Sequence, residues 1–454
     1  MNKQLKTLKR TVVLEGWTNR YGMQALREIT EAYKSMLQEM VDYAVEHKAS
    51  QATLHKVFYH KFREKYPWLP TRVIKGCYRN AVRRAKSFRE LKKKGIAKTD
   101  KPIVKRFTIT YSDSQDWKLK DGVVMVRTHR GWVKIHYRGH KQLHKYLYSG
   151  WKLSSELRLK PNGRKVTIYL TFTKNFEVTY NPNNVVAVDV NENNVTLAVF
   201  RDKKLCEVYR IETDLGRLVI SYAERRKRIT GGKSTKTRSV KKALKKLRER
   251  KRKQDIIYKT ARIIEELAMQ YNTVVVVGNV HRGKRKLVER TRKNTLRHRI
   301  HQWSVSTLVE VLNDKPIHVA EISEAHTSSI DPFTGKRIHK FVPSMIRFAV
   351  RGRKRVRVVK VQLGLAKLGN GLVLDRDVIG AVNIGLKYLS SDGRAMALPS
   401  TEPHEVRMKL MTPYRGLTPH GIKSIEKLLR STVRRETLLI KLEEPSRPSR
   451  SSRV

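Results

Sequence analysis

Two aspartate-bearing segments, far apart in the chain, constrain its fold more than any other feature. Residues 185–200, VVAVDVNENNVTLAVF, run four apolar residues into Asp189, pass through a polar turn and resume alternation. That is the pattern of a strand, a turn and a returning strand, with Asp189 where the first strand ends. Residues 374–389, LDRDVIGAVNIGLKYL, set Asp375 and Asp377 around Arg376, just before apolar positions whose spacing suits a helix packed on a sheet. Carboxylates from two distant segments are thereby directed toward one place. Clustered carboxylates are what a pair of hard divalent cations needs, and two-metal sites use them in phosphodiester cleavage. Taken singly, each acid also has a plainer reading: Asp189 as a turn former and Asp375 as a helix cap.

Composition narrows the partner. With 99 Lys and Arg against 40 Asp and Glu, the formal net charge of the 454-residue chain is +59. Such a charge points to a polyanion. No apolar run reaches membrane-spanning length and the first residues lack a signal-peptide core, so a cytoplasmic, nucleoid-associated protein without a membrane partner is expected. Two cysteines, Cys77 and Cys206, exclude a disulfide scaffold and cannot by themselves build a four-thiolate zinc site.

The spacing predicts an early strand over residues 8–15 and a helical block over about 21–94, with Met23, Leu26, Ile29, Tyr33, Met36, Leu37, Met40 and Val41 on one face. Short alternating runs from about 102 to 176, separated by turn signals, predict a small barrel or sandwich. Trp117, Trp132, His136, Tyr137, Tyr146, Tyr148 and Trp151 are interleaved there with Lys and Arg, a composition suited to stacking on bases, or simply to a core. Residues 180–184, YNPNN, mark a boundary. Beyond it, residues 241–253 form a helical arm in which Lys241, Lys242, Lys245, Lys246, Arg248, Arg250, Lys251, Arg252 and Lys253 face a single acid, Glu249. The run reads as a rail along a nucleic-acid backbone, the alternative being a solvated face. The arm continues as one helix through Tyr271, with the Gly231–Gly232 pair at its bend, and residues 273–277 read as a fully buried strand. A helix over 296–313 and a strand over 316–323 complete an alternating α/β order, which gathers side chains at the carboxyl ends of strands. From about residue 390 the chain is basic, with a helical signal over 421–442 and a tail expected to be disordered.

On residues 185–200, RHRIHQWSVSTL, the AHTSS segment and LDRDVIGAVNIG, the chain resembles the TnpB/OrfB family of transposon-encoded proteins, RNA-guided nucleases related to type V CRISPR effectors. The resemblance covers residues 8 to about 389. It implies an α/β RNase H-like (RuvC) nuclease domain over 181–389, preceded by a β-barrel wedge domain (1–20 and 97–180) carrying a helical recognition insert (21–96). A basic extension follows over 390–454. It also implies Mg²⁺ or Mn²⁺, a guide RNA transcribed near the element and double-stranded target DNA, with no small-molecule substrate.

Two departures from the family pattern bear on the chemistry. The usual second carboxylate, at the end of the strand VVVVGNV, is Gly278 here, and glycine cannot bind a metal. The zinc-ribbon insert, residues 329–370, contains no cysteine, so no zinc is expected and packing or RNA contact must hold it. One reading of the lost glutamate is a dead site and an RNA-guided DNA binder. The other is replacement by Glu324, which follows a strand that the resemblance places beside the one ending at Gly278; Glu321 is a weaker candidate. The catalytic and metal-binding set is then Asp189, Glu324 and Asp377, with Asp375 a cap or outer ligand. The family's asparagine two places after Asp377 is Ile379 here. The expected function is RNA-guided DNA cleavage by two-metal hydrolysis. Alternatives are a nuclease-dead guided binder and a DDE-type transposase.

Overall fold

The computed structural model describes residues 1–231, 237–279, 304–338, 342–351, 354–362, 365–369, 373–390 and 407–411. It divides into two compact units, Thr7–Phe176 and the remainder, Met1–Lys6 with Glu177–Val454. No described helix is long and apolar enough to cross a membrane.

In the Thr7–Phe176 unit, strand β1 (Asn2–Trp17) leads into three helices, α1 (Arg20–Glu46), α2 (Gln51–Lys65) and α3 (Thr71–Lys93). Asn19 caps α1 by accepting the Gly22 N–H at 2.8 Å, and the apolar positions expected to share a face are buried together. Val73, Ile74, Cys77, Ala81 and Ala85 of α3 join the same core. A fully buried aliphatic side chain contributes about 1.5–3 kcal/mol, so these two stripes are what holds the helical block together. Next come β2 (Ile109–Tyr111), β3 (Trp117–Lys120), β4 (Val123–Thr128), β5 (Gly131–Tyr137), α4 (Lys141–Tyr148), β6 (Lys152–Asn162) and the start of β7 (Lys165–Val190). Pairing follows the open order β3-β4-β5-β1-β7-β6-β2.

The interleaved aromatics divide between core and surface. Trp117 and Tyr137 are buried, the Trp117 Nε1–H donating to the Ser155 carbonyl at 2.7 Å. Tyr146 packs on Trp151 and Phe172, whereas Trp132 and Tyr148 are exposed, Trp132 beneath the Lys118 ammonium.

The second unit is a mixed sheet in the order β16-β9-β8-β7-β10-β11, built from the end of β7, β8 (Asn194–Arg201), β9 (Lys204–Glu212), β10 (Thr273–Gly278), β11 (Val319–Ile322) and β16 (Arg407–Met411). Strands β7, β8 and β9 form an antiparallel meander; β10 runs parallel to β7, and β11 parallel to β10. Helices α7 (Glu249–Gln270) and α8 (Val305–Asn313) cover one face, packing on Val186, Val188, Val275 and Val277. Helix α9 (Arg376–Leu389) covers the other, packing on Val185, Ala187, Val274 and Val276. Because side chains alternate along a strand, the sheet has two buried faces and β10 is buried at every position.

The basic arm differs from its expected single helix. Helix α5 (Leu215–Thr230) ends in a left-handed Gly231, and Gly232 lies outside the described residues. Helix α6 (Arg238–Lys246) then stops at Arg248, whose φ of +53° breaks the path before α7 begins. The lysine-rich repeat leaves only half-buried apolar residues on α6, too little to hold one straight helix through the charge run. The amino-terminal part of the helix expected over 296–313, the helical signal over 421–442 and the tail lie outside the described residues.

Among the described residues, apolar packing joins the ends of the cysteine-free insert. Ile338, Ala366, Leu368 and Ile379 form a small apolar cluster with Phe333 and Leu374. Beside it the buried Asp331 carboxylate accepts the N–H of Phe333 and of Gly369, each at 2.9 Å, tying the two ends of the insert. Ile379, where the family places asparagine, is thus a core residue of that cluster. Between those ends, β12 (Val342–Arg351) and β13 (Lys354–Gln362) pair as an antiparallel hairpin, and β14 (Leu365–Lys367) pairs with β15 (Val373–Asp375).

Candidate nuclease site

Strand register assembles the site from residues that sequence cannot show to be neighbours. Asp189 pairs with Thr196 on β8, and Thr196 with Arg210 on β9. On the other side Val188 pairs with Val277, so Asp189 and Gly278 are the next rung, and Gly278 pairs with Ile322. Arg210, Thr196, Asp189, Gly278 and Ile322 therefore form one row on the face covered by α9. Glu324, two residues beyond Ile322, keeps that parity. Glu321 pairs with Val277 and belongs to the opposite face, which removes it as a candidate.

Gly278 explains how Glu324 enters the row. A Cβ built on Gly278 would overlap the Glu324 carboxylate, with Glu324 Cδ at 2.7 Å and its Cβ at 2.9 Å. The Glu324 carboxylate thus occupies the volume that a side chain at 278 would take. Its backbone is pinned as well: the Glu324 carbonyl accepts the Thr327 hydroxyl at 3.0 Å, and the buried Asn383 of α9 donates to the carbonyls of Thr327 and Ile330 at 2.7 Å each. Helix α9 therefore fixes both the Glu324 turn and its own Asp377.

Asp375 caps α9, its Oδ1 accepting the Asp377 N–H at 2.8 Å. Asp377 Oδ2 accepts from Asn194 at 2.9 Å, and Asp189 Oδ2 accepts from Asn191 at 3.0 Å. Both asparagines come from the turn in residues 185–200, a role that sequence reasoning missed although their short amides two and five residues after Asp189 were visible. Gly380 lets α9 approach closely; a Cβ there would lie 2.8 Å from Asp189 Oδ2.

Burial pushes the Asp189 carboxyl up to about 8, against the Asn191 hydrogen bond and with help from the charges of Asp377, Glu324 and Asp375. Burial and Asp375 also raise Asp377, opposed by Asn194, Arg210 and Arg376. The charges of Asp377, Glu324 and Asp375 thus all bear on Asp189. An all-oxygen donor set of this kind suits Mg²⁺ or Mn²⁺. Among the described residues, however, no three carboxylate, histidine or cysteine side chains converge tightly enough to hold an ion as they stand.

The basic rail is largely exposed. Lys241, Lys242, Lys245, Lys246, Arg248, Arg250, Lys251 and Arg252 face solvent, while Lys253 is half-buried and pairs with Glu249, which Arg226 also contacts. A second basic feature escaped sequence reasoning, because its residues come from separate elements. In the Thr7–Phe176 unit a cavity of about 350 Å³ is lined by Arg79, Arg83, Arg84, Arg106, Arg158 and Lys160, with Glu156 the one acid among its described lining residues.

Residues 29–126 match the model of the Uncharacterized protein MJ0013 family. The chain is 27% identical over 243 residues to Uncharacterized protein MJ0857 of Methanocaldococcus jannaschii, covering 49% of this chain and 87% of that protein. It is 24% identical over 221 residues to the TnpB-like protein MJ0751 of the same organism, covering 46% and 72%. In fold it is similar to Cas12f1, solved as a complex with a single guide RNA and target DNA, with a TM-score of 0.50, 84% of this chain and 99% of that chain covered, and 11% identity. By these comparisons the chain is similar in sequence to a TnpB-like protein and in fold to Cas12f1.

Proposed function

We propose that the protein is an RNA-guided DNA endonuclease of a transposable element, with Asp189, Glu324 and Asp377 as the carboxylates of a divalent-metal site. The observation that carries this reading is the Glu324 carboxylate filling the space left by Gly278, in the same row as Asp189. A glutamate lost from one strand end and regained from its neighbour keeps the donor set; a decaying site has no reason to do so.

The residues divide the work. Asn191 and Asn194 orient the two aspartates, Thr327 fixes the Glu324 backbone, and Asp375 anchors the start of α9. A bound divalent ion would supply an activated water and Lewis acidity at the phosphate. In the reaction the water oxygen bonds to phosphorus as the bond to one bridging oxygen breaks; the water gives up a proton, and the leaving oxygen takes one up to depart as a hydroxyl. The Lys241–Lys253 run and the arginine-lined cavity supply cations for nucleic-acid backbones. Guide RNA and double-stranded DNA are the proposed partners, with sequence read by guide pairing.

A second reading, guided binding without cleavage, is favoured by the absence of a ready-made ion cage among the described residues. Plasmid cleavage with the RNA encoded beside the element, a randomised flanking motif and Mg²⁺ present or withheld separates the two. Cutting that needs Mg²⁺ and Glu324 supports the first; guide-dependent binding without cutting under Mg²⁺ or Mn²⁺ supports the second.

A further inference from the structure

A second cavity in the Thr7–Phe176 unit, of about 610 Å³, has Arg63, Trp68, Arg72, Asp116, Arg127 and His129 in its walls. Its size lies within the roughly 300–1,000 Å³ of small-molecule sites. The walls are held from behind. Arg63, near the end of α2, donates to the carbonyls of Pro67 at 3.3 Å and Leu69 at 3.1 Å, which fixes the loop carrying Trp68. Glu28 of α1 meets His129 Nε2 at 2.7 Å and Arg130 at 2.6 Å, which fixes the turn between β4 and β5. Trp68 rests against His129, with 4.7 Å between ring centroids, yet stays 39% exposed. An indole left open beside three arginines is suited to stacking on a flat ligand.

Asp116 sets this cavity apart from a plain phosphate site. It is only 5% exposed, and its Oδ2 is buried without a hydrogen-bond partner. Arg72, which donates to Gln115 and lies 3.8 Å from Asp113, stops 3.7 Å from Asp116 Oδ1, beyond hydrogen-bond reach. Burial accordingly raises the Asp116 carboxyl in spite of Arg72 and Arg127. His129 Nδ1 is a second buried atom without a partner. Buried polar atoms left unsatisfied are costly, and a ligand that supplies the missing partner removes that cost. An inorganic phosphate would meet the arginines and be repelled by Asp116. The ligand that fits brings N–H donors on a flat ring together with acceptors and a negative charge. Guanine carries two adjacent donors, N1–H and N2–H, that match a carboxylate, and O6 and N7 acceptors that match an arginine. Pairing with cytosine uses those donors, so the guanine must be unpaired.

We propose that this cavity binds one unpaired guanine nucleotide of a single strand. Trp68 stacks on the base, Asp116 accepts from its N1–H and N2–H, and the arginines meet O6, N7 and the phosphate. Asp116 Oδ2 is shielded from solvent here, so the carboxylate turns toward the base on binding. The inference adds base reading to the guided function proposed above; it rests on that function's nucleic-acid partner and not on its metal site.

The test measures binding of the full-length protein, in EDTA and at fixed salt, to short uridine oligomers that carry one central guanosine, one central inosine or neither. Wild type is expected to bind the guanosine oligomer about tenfold more tightly than the all-uridine one, as a two-point base contact does. Inosine, which lacks the 2-amino group, should lose most of that gain. Asp116→Asn and Trp68→Ala should each remove most of the preference, and Asp116→Asn should leave the salt dependence of all-uridine binding unchanged. The deoxyribose series names the source: a preference confined to ribose oligomers assigns the base to RNA, and an equal one in deoxyribose assigns it to either kind of single strand. No guanosine preference in wild type, or one that survives in folded Asp116→Asn, overturns the inference and leaves guided cleavage standing. If Asp116→Asn does not fold, inosine bound as tightly as guanosine by wild type overturns it. Failure to bind any single strand removes the nucleic-acid reading and this inference with it.

Discussion

The paired acids of the Thr7–Phe176 unit contrast with the crowded acids at the strand ends of the other unit. In the Thr7–Phe176 unit, Glu28 meets His129 at 2.7 Å and Arg130 at 2.6 Å, and Glu156 meets Arg79 at 2.9 Å. Asp116 is the exception, its carboxyl raised by burial in spite of Arg72 at 3.7 Å. In the other unit burial and the charges of Asp377, Glu324 and Asp375 all act on Asp189, which is pushed up to about 8, and Asp377 is raised as well. A chain with 99 basic residues for 40 acids has cations to spare, so crowding acids together is a cost that folding alone does not require. Strain of this kind concentrates where a site awaits a ligand.

The sharpest way to break that contrast is to remove the crowded acids. Asp189→Ala and Asp377→Ala should each lower cleavage by several orders of magnitude while leaving retention of co-purified RNA unchanged. Measurable cutting by either variant returns the cluster to a structural role. Glu28→Ala, in the other unit, should leave the cleavage rate of folded protein within a few-fold of wild type.

The exchange between positions 278 and 324 comes next. Glu324→Gln should cut cleavage by orders of magnitude with little change in melting temperature. Gly278→Glu alone meets the Glu324 side chain and should destabilise by about 1–3 kcal/mol, as overpacking does. Combined with Glu324→Ala, the same Gly278→Glu has room, and should recover both stability and part of the activity. If the double variant is no more stable than Gly278→Glu alone, the two side chains do not compete for one space.

A third expectation concerns pH in the metal-free protein. The Asp189 carboxyl stays protonated in the folded state up to about 8, whereas in the unfolded chain it ionises near 4. The folded state therefore holds the extra proton, and stability present below pH 4 is lost as pH rises toward 8. Asp189→Asn should flatten that decline in a series of melting curves, and saturating Mn²⁺ should reverse it for wild type but not for the variant. A wild-type curve that climbs between pH 4 and 8 as steeply as that of Asp189→Asn refutes the assignment.

The smallest effect compares the two basic surfaces. Replacing Arg83, Arg106 and Lys160 with Gln, or Lys241, Lys245 and Lys246 with Gln, should each flatten the salt dependence of single-stranded RNA binding by roughly 0.7 log units for every phosphate no longer neutralised. An unchanged slope for either set identifies that surface as merely solvated.

Much of the fold is legible in the residues alone. The stripe of α1, the strand ending at Asp189, the helix after Asp377 and the buried strand before Gly278 each follow from local periodicity and short-range sterics, which the residues carry by themselves. The glycine at 278 and the lack of cysteine in residues 329–370 are likewise written in the residues. Local pattern failed where charge density broke a helix at Arg248, since nothing in a run of lysines says where it must bend.

What sequence alone determined is which acids the protein possesses and at which element ends they stand. Tertiary structure decided which of them meet. Register across the strands β9, β8, β7, β10 and β11 put Glu324 into the row of Asp189 and sent Glu321 to the other face. The same register brought Arg210 from β9 to Asp375 and Asp377. Only a non-local pairing can do this, because strand parity and the overlap between a glycine and a neighbouring glutamate depend on chains lying side by side, and no spacing along a single chain records who those neighbours are.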